Sequence, residues 1–145
     1  MKELLLKKIG EKSIKVGVVG LGYVGLPLAV EKAKAGFVTV GFDIQKEKVD
    51  MVNRGHNYIG DVVDSDLDDL VKKGMLSATT DFGFVGEMDF IAICVPTPLD
   101  AHQQPDISYV KTSAESISKY LKKNTMVVLE STTYPGTTQE LVKPI

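Results

Sequence analysis

The sequence predicts an α/β fold in which a doubly wound parallel sheet of about five strands lies between two layers of helices, an α/β/α arrangement. Short β-branched runs alternate with longer helical patterns along the chain, as in sheets whose parallel strands are joined by crossover helices. A glycine-rich segment directly follows the first predicted strand and opens the first crossover helix. The length of 145 residues is that of one domain.

Five segments have the composition of strands. The first, residues 14–19, is a nearly continuous apolar run, which indicates a strand buried on both faces of the sheet. The other predicted strands are residues 37–42, a weaker segment near residues 76–79, residues 90–95 and residues 125–129.

The helical segments between these strands carry readable start and stop signals. The first, residues 24–35, has Pro27 in its first turn and Gly36 immediately after its end. Residues 65–68 resemble a capping box with Asp in place of Glu. The other predicted helices are residues 46–54, a segment that opens at residues 65–68 and ends at residues 72–74, residues 107–121, and a short helix from residue 137 or 138.

Residues 1–13 form a leader ahead of the domain, which we predict to occupy residues 14–145. We expect the leader to be a short or frayed helix, because its three consecutive leucines are far fewer than the apolar core of a signal peptide. No window of the sequence approaches the apolar run of a membrane span.

Charge and cysteine content exclude several classes of function. The 17 Lys and Arg residues nearly balance the 19 Asp and Glu residues, so the chain lacks the basic character of a protein that binds nucleic acid or anionic membranes. The single cysteine excludes a disulfide framework and a zinc site built from cysteines. We therefore expect a cytoplasmic protein with neither nucleic-acid nor membrane partners.

Glycines have the clearest chemical role in the sequence. Gly20, Gly22 and Gly25 show the G-x-G-x-x-G spacing of a Rossmann-like dinucleotide-binding loop between a strand and a helix. In such a loop the first glycine permits a tight turn, the second lets the backbone approach a pyrophosphate, and the third lets the helix pack on the strand. The helix start then offers free amides and a partial positive charge to the phosphates. The alternative is that these glycines only shape an ordinary turn.

Asp43 stands at the carboxyl end of the second predicted strand, directly after residue 42, where a carboxylate accepts hydrogen bonds from the ribose hydroxyls of a dinucleotide. A negative charge at this place repels a 2′-phosphate, which favours NAD over NADP. Lys46 and Lys48 are close by in sequence, so NADP stays open as an alternative. Asp43 is also placed to cap the following helix, a role that is compatible with ribose binding.

Two more loops leave the carboxyl ends of the fourth and fifth predicted strands, which is the end where doubly wound sheets bind ligands. Residues 95–99 include two prolines that stiffen an extended path, and residues 130–136 carry several hydroxyls. We expect both loops to contact the cofactor, the second at its nicotinamide end. The alternatives are a rigid loop without ligand contact and hydroxyls that only close local turns.

Several reactive side chains are predicted to be structural. Cys94 lies inside an apolar strand with no basic neighbour in sequence to lower its pKa, so we expect a buried core residue rather than a nucleophile. His56 and His102 are isolated in polar segments without metal-ligand spacing. The acidic run over residues 61–69 is predicted to be the solvated face of a helix.

Three segments, GLGYVGLPLA, ICVPTPL and ESTTYPGTT, in this order and spacing, resemble the N-terminal NAD-binding domain of the UDP-glucose/GDP-mannose dehydrogenase family. The resemblance extends from about Ile14 to the end of the sequence. Within the family, this sequence is most similar to the UDP-N-acetylglucosamine 6-dehydrogenase branch. The similarity to this branch lies in residues 56–59 with the acidic helix after them, and in the later PTPL, His102 and Pro105-Asp106. The Glu-Pro-Gly-Leu stretch typical of the UDP-glucose branch is missing.

The resemblance implies an NAD-dependent oxidation of the C6 alcohol of a UDP-sugar, a UDP-N-acetylhexosamine or UDP-glucose, to a carboxylate in two steps with two NAD. In the family, a cysteine in a Gly-Gly-x-Cys motif captures the intermediate aldehyde as a thiohemiacetal, which the second hydride transfer turns into a thioester that water hydrolyses. This sequence contains neither that motif nor a sixth predicted strand. We therefore expect a truncated domain, without the substrate and dimerisation domains, that is inactive alone and belongs to a longer, homo-oligomeric protein of polysaccharide biosynthesis. A non-catalytic dinucleotide-binding module with a redox-sensing or regulatory role is the alternative of a different class.

The resemblance also implies which residues act. Lys48 matches a basic family position near the adenosine, and Thr133 matches a threonine close to the reacting centre that positions water, so Thr133 is the one predicted catalytic residue. The full predicted cofactor-binding set is Gly20, Leu21, Gly22, Tyr23, Val24, Gly25, Asp43, Lys48, Val95, Pro96, Thr97, Thr132 and Thr133.

Overall fold

The structure of the protein, a computed structural model, describes residues 2–99 and 103–145. In this part of the chain the strands are β1 (Val16–Val19), β2 (Thr39–Phe42), β3 (Leu76–Thr79), β4 (Phe90–Ile93) and β5 (Met126–Leu129). All neighbouring strands pair in parallel, in the order β3-β2-β1-β4-β5. This order confirms the predicted doubly wound α/β fold, and the direction of winding reverses between β1 and β4.

Helices cover both faces of the sheet. They are α1 (Lys2–Gly10), α2 (Gly25–Lys34), α3 (Lys46–Asn53), α4 (Asp64–Lys72) and α5 (Ser108–Ser118), with a π-helical turn at Thr138–Val142 near the end of the chain. A 3-10 turn at Phe82–Glu87 is absent from the sequence-based prediction, and it begins where the Asp81 side chain accepts a hydrogen bond from the Gly83 amide at 2.8 Å. Across the two described ranges, no helix has both the length and the apolar character needed to cross a membrane.

The predicted capping box at residues 65–68 is wrong. α4 begins one residue earlier, at Asp64, and its N-cap residue Val63 makes no side-chain cap. Asp64 is engaged elsewhere, because its Oδ1 accepts a hydrogen bond from the Asn57 amide at 3.2 Å. The first residue of α4 therefore accepts a hydrogen bond from the preceding segment, and no described side chain caps the start of the helix.

The strands are shorter than their apolar runs. β4 ends at Ile93 although the Cys94 amide still donates to the Val19 carbonyl at 2.7 Å. Pro96 has no amide hydrogen to donate, so the hydrogen bonds between β4 and its neighbouring strands stop before it. The apolar sequence pattern therefore extends beyond the last hydrogen-bonded residues of the strand. The prediction of residues 90–95 therefore located the strand and overestimated its length.

Both faces of the central strand are buried, as its continuous apolar run predicts. All positions of β1 are buried, and β1 pairs with β2 on one side and with β4 on the other. Val16 and Val18 pack with α2, α3 and α4, whereas Val19 faces the opposite layer with α5. The largest buried side chains of that opposite layer are Phe42, Met88, Ile91 and Ile93.

The two outer strands of the sheet have different surroundings. The Asn53 side chain accepts a hydrogen bond from the Ala78 amide at 2.8 Å and donates one to the Ala78 carbonyl at 2.9 Å, so it occupies part of the open edge of β3. On the other side Met126 is exposed and the rest of β5 is half-buried. Within the described residues, no side chain hydrogen bonds to the backbone of β5.

A buried carboxylate joins the leader helix to the opposite end of the sheet from the glycine loop. Asp89 accepts hydrogen bonds from Lys8 Nζ at 2.7 Å and from the Lys15 amide at 3.1 Å, and Lys122 Nζ lies 3.7 Å away. Burial of Asp89 opposes its ionisation, but the bonds from Lys8 and from the Lys15 amide outweigh it and lower the pKa of the carboxyl. Leu5 of α1 packs into the hydrophobic core, so α1 is held by both polar and apolar contacts.

We expect Asp89→Asn to lower the free energy of unfolding at neutral pH by about 1–3 kcal/mol, the scale of a hydrogen bond to a charged group. Because the folded-state pKa of Asp89 is lowered, its contribution is full above the unfolded-state pKa of about 3.9 and is lost as pH falls through the folded-state pKa. The difference between wild type and variant should therefore shrink below about pH 4. Urea unfolding followed by circular dichroism at a series of pH values measures it.

The matched control is Glu87→Gln, which removes the exposed ion pair between Lys15 Nζ and Glu87 at 2.9 Å. We expect this change to alter the free energy of unfolding by less than about 0.5 kcal/mol. A difference between wild type and Asp89→Asn that is the same at every pH would contradict the role of the Asp89 charge.

Helix α2 packs directly on the end of β1 because its first residue has no side chain. A Cβ atom at Gly25 would lie 1.7 Å from the carbonyl oxygen of Gly20 and 3.2 Å from Cys94 Cβ. Backbone atoms cannot move aside for a methyl group as the end of a flexible side chain can. Gly25 therefore has the packing role that the sequence predicts for the third glycine of the loop.

We expect Gly25→Ala to lower the free energy of unfolding by more than about 2 kcal/mol, because α2 would have to move away from the sheet. Gly60→Ala is the control, since a Cβ at Gly60 would meet nothing within 4 Å, and its effect should stay within about 0.5 kcal/mol. Chemical denaturation of the two variants side by side makes the measurement. Equal stability of the variants would show that the Gly20–Gly25 contact is not tight in solution.

Candidate functional site

A cleft of about 650 Å³ opens at the carboxyl ends of β1, β2 and β4, beside the point where the strand order reverses. Most of the predicted cofactor residues line it: Gly20, Gly22, Tyr23, Val24, Asp43, Lys48, Val95, Pro96, Thr97 and Thr132. The structure thus brings together residues from three predicted loops and from α3. The volume is in the range of clefts that bind small molecules and cofactors.

The glycine loop forms the floor of this cleft. Gly20 has φ +91°, and a Cβ there would lie 2.8 Å from the Cys94 carbonyl oxygen, so both conformation and space require glycine. A Cβ at Gly22 would meet nothing within 4 Å, and Gly22 borders the cleft. The space beside Gly22 is therefore open to a ligand that approaches the backbone.

The start of α2 is suited to an anionic ligand. Within the described residues, the amides of Gly22, Tyr23 and Val24 donate no hydrogen bond, and the first turn of α2 contains no acidic side chain. Free amides and the positive end of the helix dipole attract phosphate groups. This donor set, together with the open space at Gly22, fits the pyrophosphate of a dinucleotide.

Asp43 is a buried carboxylate at the edge of the cleft, only 8% exposed. Its Oδ2 accepts a hydrogen bond from the Leu21 amide at 2.8 Å, and its Oδ1 accepts one from the Gln45 amide at 2.9 Å. These bonds close a turn ahead of α3, which begins at Lys46, so Asp43 does not cap the helix amides themselves. Each carboxylate oxygen has a further lone pair, so Asp43 can also accept bonds from ribose hydroxyls.

The two lysines near Asp43 differ in their surroundings. Lys46 Nζ forms an ion pair with Asp50 at 2.7 Å, one helical turn further along α3. Lys48 lines the cleft and forms no ion pair within the part of the chain that the structure describes. Lys48 therefore borders the cleft without a carboxylate partner among the described residues, and its contact with a nucleotide stays a prediction.

Two hydroxyl groups join the loops that follow β4 and β5. Thr97 Oγ1 donates to the Thr132 carbonyl at 2.6 Å, and Ser131 Oγ donates to the Val95 carbonyl at 2.7 Å. These bonds cross between loops rather than closing turns within one loop. A local turn is closed only after this segment, where Thr137 Oγ1 donates to the Tyr134 carbonyl at 2.7 Å.

Three predicted residues lie outside the cleft. Leu21 is fully buried, with its amide bonded to Asp43 and its carbonyl accepting a hydrogen bond from Tyr58 Oη at 2.7 Å, and Gly25 is covered by Gly20. Thr133 borders a separate depression of about 310 Å³ formed with residues 134 and 136–139. The role of Leu21 and Gly25 is thus to shape the loop, and the catalytic and cofactor roles of Thr133 stay predictions.

The side chains predicted to be structural have structural surroundings. Burial, followed by the charge of Glu130, raises the pKa of the Cys94 thiol to about 11, so Cys94 is not a reactive thiolate. His56 is exposed, and His102 lies outside the described residues. In the acidic run, Asp68 and Asp69 form ion pairs with Lys72 and Lys73, each four residues further along at the end of α4. Among the residues that the structure describes, no three His, Cys, Asp or Glu side chains form a group that could hold a metal ion.

One wall of the cleft was missed by the sequence reasoning. The first turns of α5 contribute small hydroxyl side chains and Tyr109, and the 3-10 turn contributes Phe82. A helical spacing of hydroxyls was available as a signal, because residues four apart share one face of a helix. The residues of α5 that line the cleft are Ser108, Tyr109, Thr112, Ser113 and Ser116.

Comparisons with known proteins agree with this geometry. Residues 14–145 match the NAD-binding domain of the UDP-glucose/GDP-mannose dehydrogenase family. The chain is 42% identical over 134 residues to UDP-N-acetyl-D-glucosamine 6-dehydrogenase of Pseudomonas aeruginosa, a match that covers 92% of this chain and 31% of that protein. It is also 42% identical over 130 residues to NDP-N-acetyl-D-galactosaminuronic acid dehydrogenase of Ralstonia nicotianae, covering 87% of this chain and 29% of that protein.

A solved structure shows the same fold. UDP-D-ManNAc dehydrogenase from Pyrococcus horikoshii superposes with a TM-score of 0.84 at 32% identity, over 90% of this chain and 31% of that one. The chain therefore spans about a third of the length of the relatives that it matches. The glycine loop, the buried Asp43 and the matched region together show that the chain belongs to the UDP-glucose/GDP-mannose dehydrogenase family, of which it is the NAD-binding domain.

Proposed function

We propose that the protein to which this domain belongs is an NAD-dependent nucleotide-sugar 6-dehydrogenase. Its reaction is the oxidation of the C6 alcohol of a UDP-sugar, a UDP-N-acetylhexosamine or UDP-glucose, to the uronate with two NAD. The observation that carries the proposal is the cleft in which free amides at the start of α2 face the same space as the Asp43 carboxylate. The names of the relatives, which are nucleotide-sugar dehydrogenases, supply the class of substrate.

NAD lies across the cleft in this proposal. Its pyrophosphate accepts hydrogen bonds from the amides of residues 22–24, and its adenosine ribose donates to Asp43 with Lys48 nearby. The nicotinamide end extends toward the loops of residues 95–97 and 131–132, which the two cross-loop hydrogen bonds hold together. The resident carboxylate disfavours the 2′-phosphate of NADP by charge repulsion.

NAD supplies the hydride acceptor when bound, and this domain positions it. The chain's only cysteine is Cys94, whose pKa is raised to about 11, so capture of the aldehyde by a thiol requires a cysteine from another part of the protein. We also propose that the substrate and dimerisation domains lie outside residues 14–145, because this chain spans only about a third of the relatives that it matches. In this proposal the complete protein is a cytoplasmic homo-oligomer that supplies uronate sugar nucleotides for polysaccharide synthesis.

Gly22→Ala should weaken NAD binding at least about tenfold, because the added methyl group projects into the space that the pyrophosphate needs. The folded state should be unaffected, since that methyl group would meet no described residue other than its chain neighbours within 4 Å. Isothermal titration calorimetry with NAD measures the first effect and chemical denaturation the second.

Gly60→Ala is again the matched control, because it makes the same change at an open position that does not line the cleft. Its affinity for NAD should equal that of the wild type within about twofold. Undiminished NAD binding by Gly22→Ala would contradict the proposed position of the pyrophosphate.

Turnover tests the proposed activity itself. We expect the 145-residue chain to form no NADH with NAD and UDP-N-acetylglucosamine or UDP-glucose, whereas the complete protein should form two NADH for each uronate produced. Measurable turnover by the 145-residue chain would contradict our account of where the reactive residues lie. A complete protein that binds NAD but oxidises no UDP-sugar would favour the regulatory alternative.

A further inference from the structure

Tyr58 lies in the segment between α3 and α4. This segment is outside the glycine loop and outside the loops that follow the strands, and Tyr58 is not in the predicted cofactor-binding set. Its hydroxyl donates a hydrogen bond to the carbonyl oxygen of Leu21 at 2.7 Å, across 37 residues of sequence. Tyr58 does not line the cleft, so it contacts the glycine loop from the side away from the ligand space.

The segment that carries Tyr58 is rigid. The Asn57 side chain donates to the carbonyls of Ile59 and Val62 and accepts a hydrogen bond from the Ile59 amide at 2.7 Å. The Tyr58 ring packs against the core beneath the loop. Burial, and then the charge of Asp43, raises the pKa of the Tyr58 phenol, so the group remains a hydrogen-bond donor at neutral pH.

Leu21 is consequently held on both sides of its backbone. Its amide donates to Asp43 Oδ2 at 2.8 Å, its carbonyl accepts from Tyr58, and its side chain is fully buried against Gly41. The peptide group between Leu21 and Gly22 is trans. In a planar trans peptide the carbonyl and the next amide point in opposite directions, so a Leu21 carbonyl directed at Tyr58 directs the Gly22 amide the other way. Gly22 borders the cleft on that other side.

We propose that Tyr58 is a positioning residue for cofactor phosphate, because its hydrogen bond to the Leu21 carbonyl turns the Gly22 amide into the cleft. The inference rests on the proposed binding of NAD in this cleft. Its ligand class is a nucleoside diphosphate, and its effect is confined to the pyrophosphate, because Asp43 keeps its own bonds to the Leu21 and Gln45 amides without Tyr58.

The test compares Tyr58→Phe with Tyr120→Phe in the 145-residue chain, using NAD, ADP and adenosine as probes in amide-resolved NMR titrations. Tyr120 is half exposed, and its hydroxyl makes no hydrogen bond within the described residues, so it controls for the loss of a phenol. Tyr58→Phe should raise the Kd for NAD and ADP about 5- to 20-fold and change the Kd for adenosine by less than about twofold. The shift of the Gly22 amide resonance on ADP binding should shrink in Tyr58→Phe and persist in Tyr120→Phe.

Equal NAD affinity of Tyr58→Phe and wild type would overturn the proposal, and so would a parallel loss of ADP and adenosine affinity, which indicates a general structural role. If Tyr58→Phe does not fold, the titrations of the wild type provide the test. The resonance of its Gly22 amide must shift with ADP and not with adenosine, and any other result overturns the proposal. A wild type that does not bind NAD overturns the proposed function and this inference with it, and that failure appears before any variant is compared.

Discussion

The contact between Gly25 and the carbonyl of Gly20 sets the position of α2 on the sheet, and the candidate site depends on that position. No side chain separates the two backbones, so the helix starts directly beside the ends of β1 and β4. The amides that precede the first helical turn then face a cleft with walls from three strand ends and from α5. If α2 lay further from the sheet, these amides would be separated from Asp43, which accepts a hydrogen bond from the same loop.

The cleft is ordered mainly by bonds between side chains and backbone. Asp43 and Tyr58 hold the two polar groups of Leu21, while Thr97 and Ser131 join the loops after β4 and β5. Side chains fixed in this way lose little further freedom when a ligand binds, which preserves binding free energy. Cys94 at the end of β4 supplies no reactive thiol, because burial and then the charge of Glu130 raise its pKa to about 11. The domain is organised for holding a cofactor in one orientation.

Features encoded by neighbouring residues could be predicted from the sequence, and features that join distant residues could not. The glycine spacing, the acidic residue after β2 and the position of each strand are local patterns, and the structure has them within a few residues. The Tyr58–Leu21 bond, the cross-loop bonds and the Asp89 site join residues 35–81 positions apart, for which no local pattern exists. The capping box failed because Asp64 bonds to Asn57 outside its helix. Thr133 was assigned by resemblance, and its local fold turns it toward a separate depression.

The unequal edges of the sheet affect how the chain behaves at high concentration. On β3, Asn53 occupies an amide and a carbonyl that another strand would otherwise use. On β5, the outward-facing backbone groups next to half-exposed valines and leucine have no such side-chain cover within the described residues. An uncovered apolar edge is a template for strand addition, which leads to self-association and aggregation. We therefore expect self-association of this 145-residue chain at high concentration to begin at β5 rather than at β3.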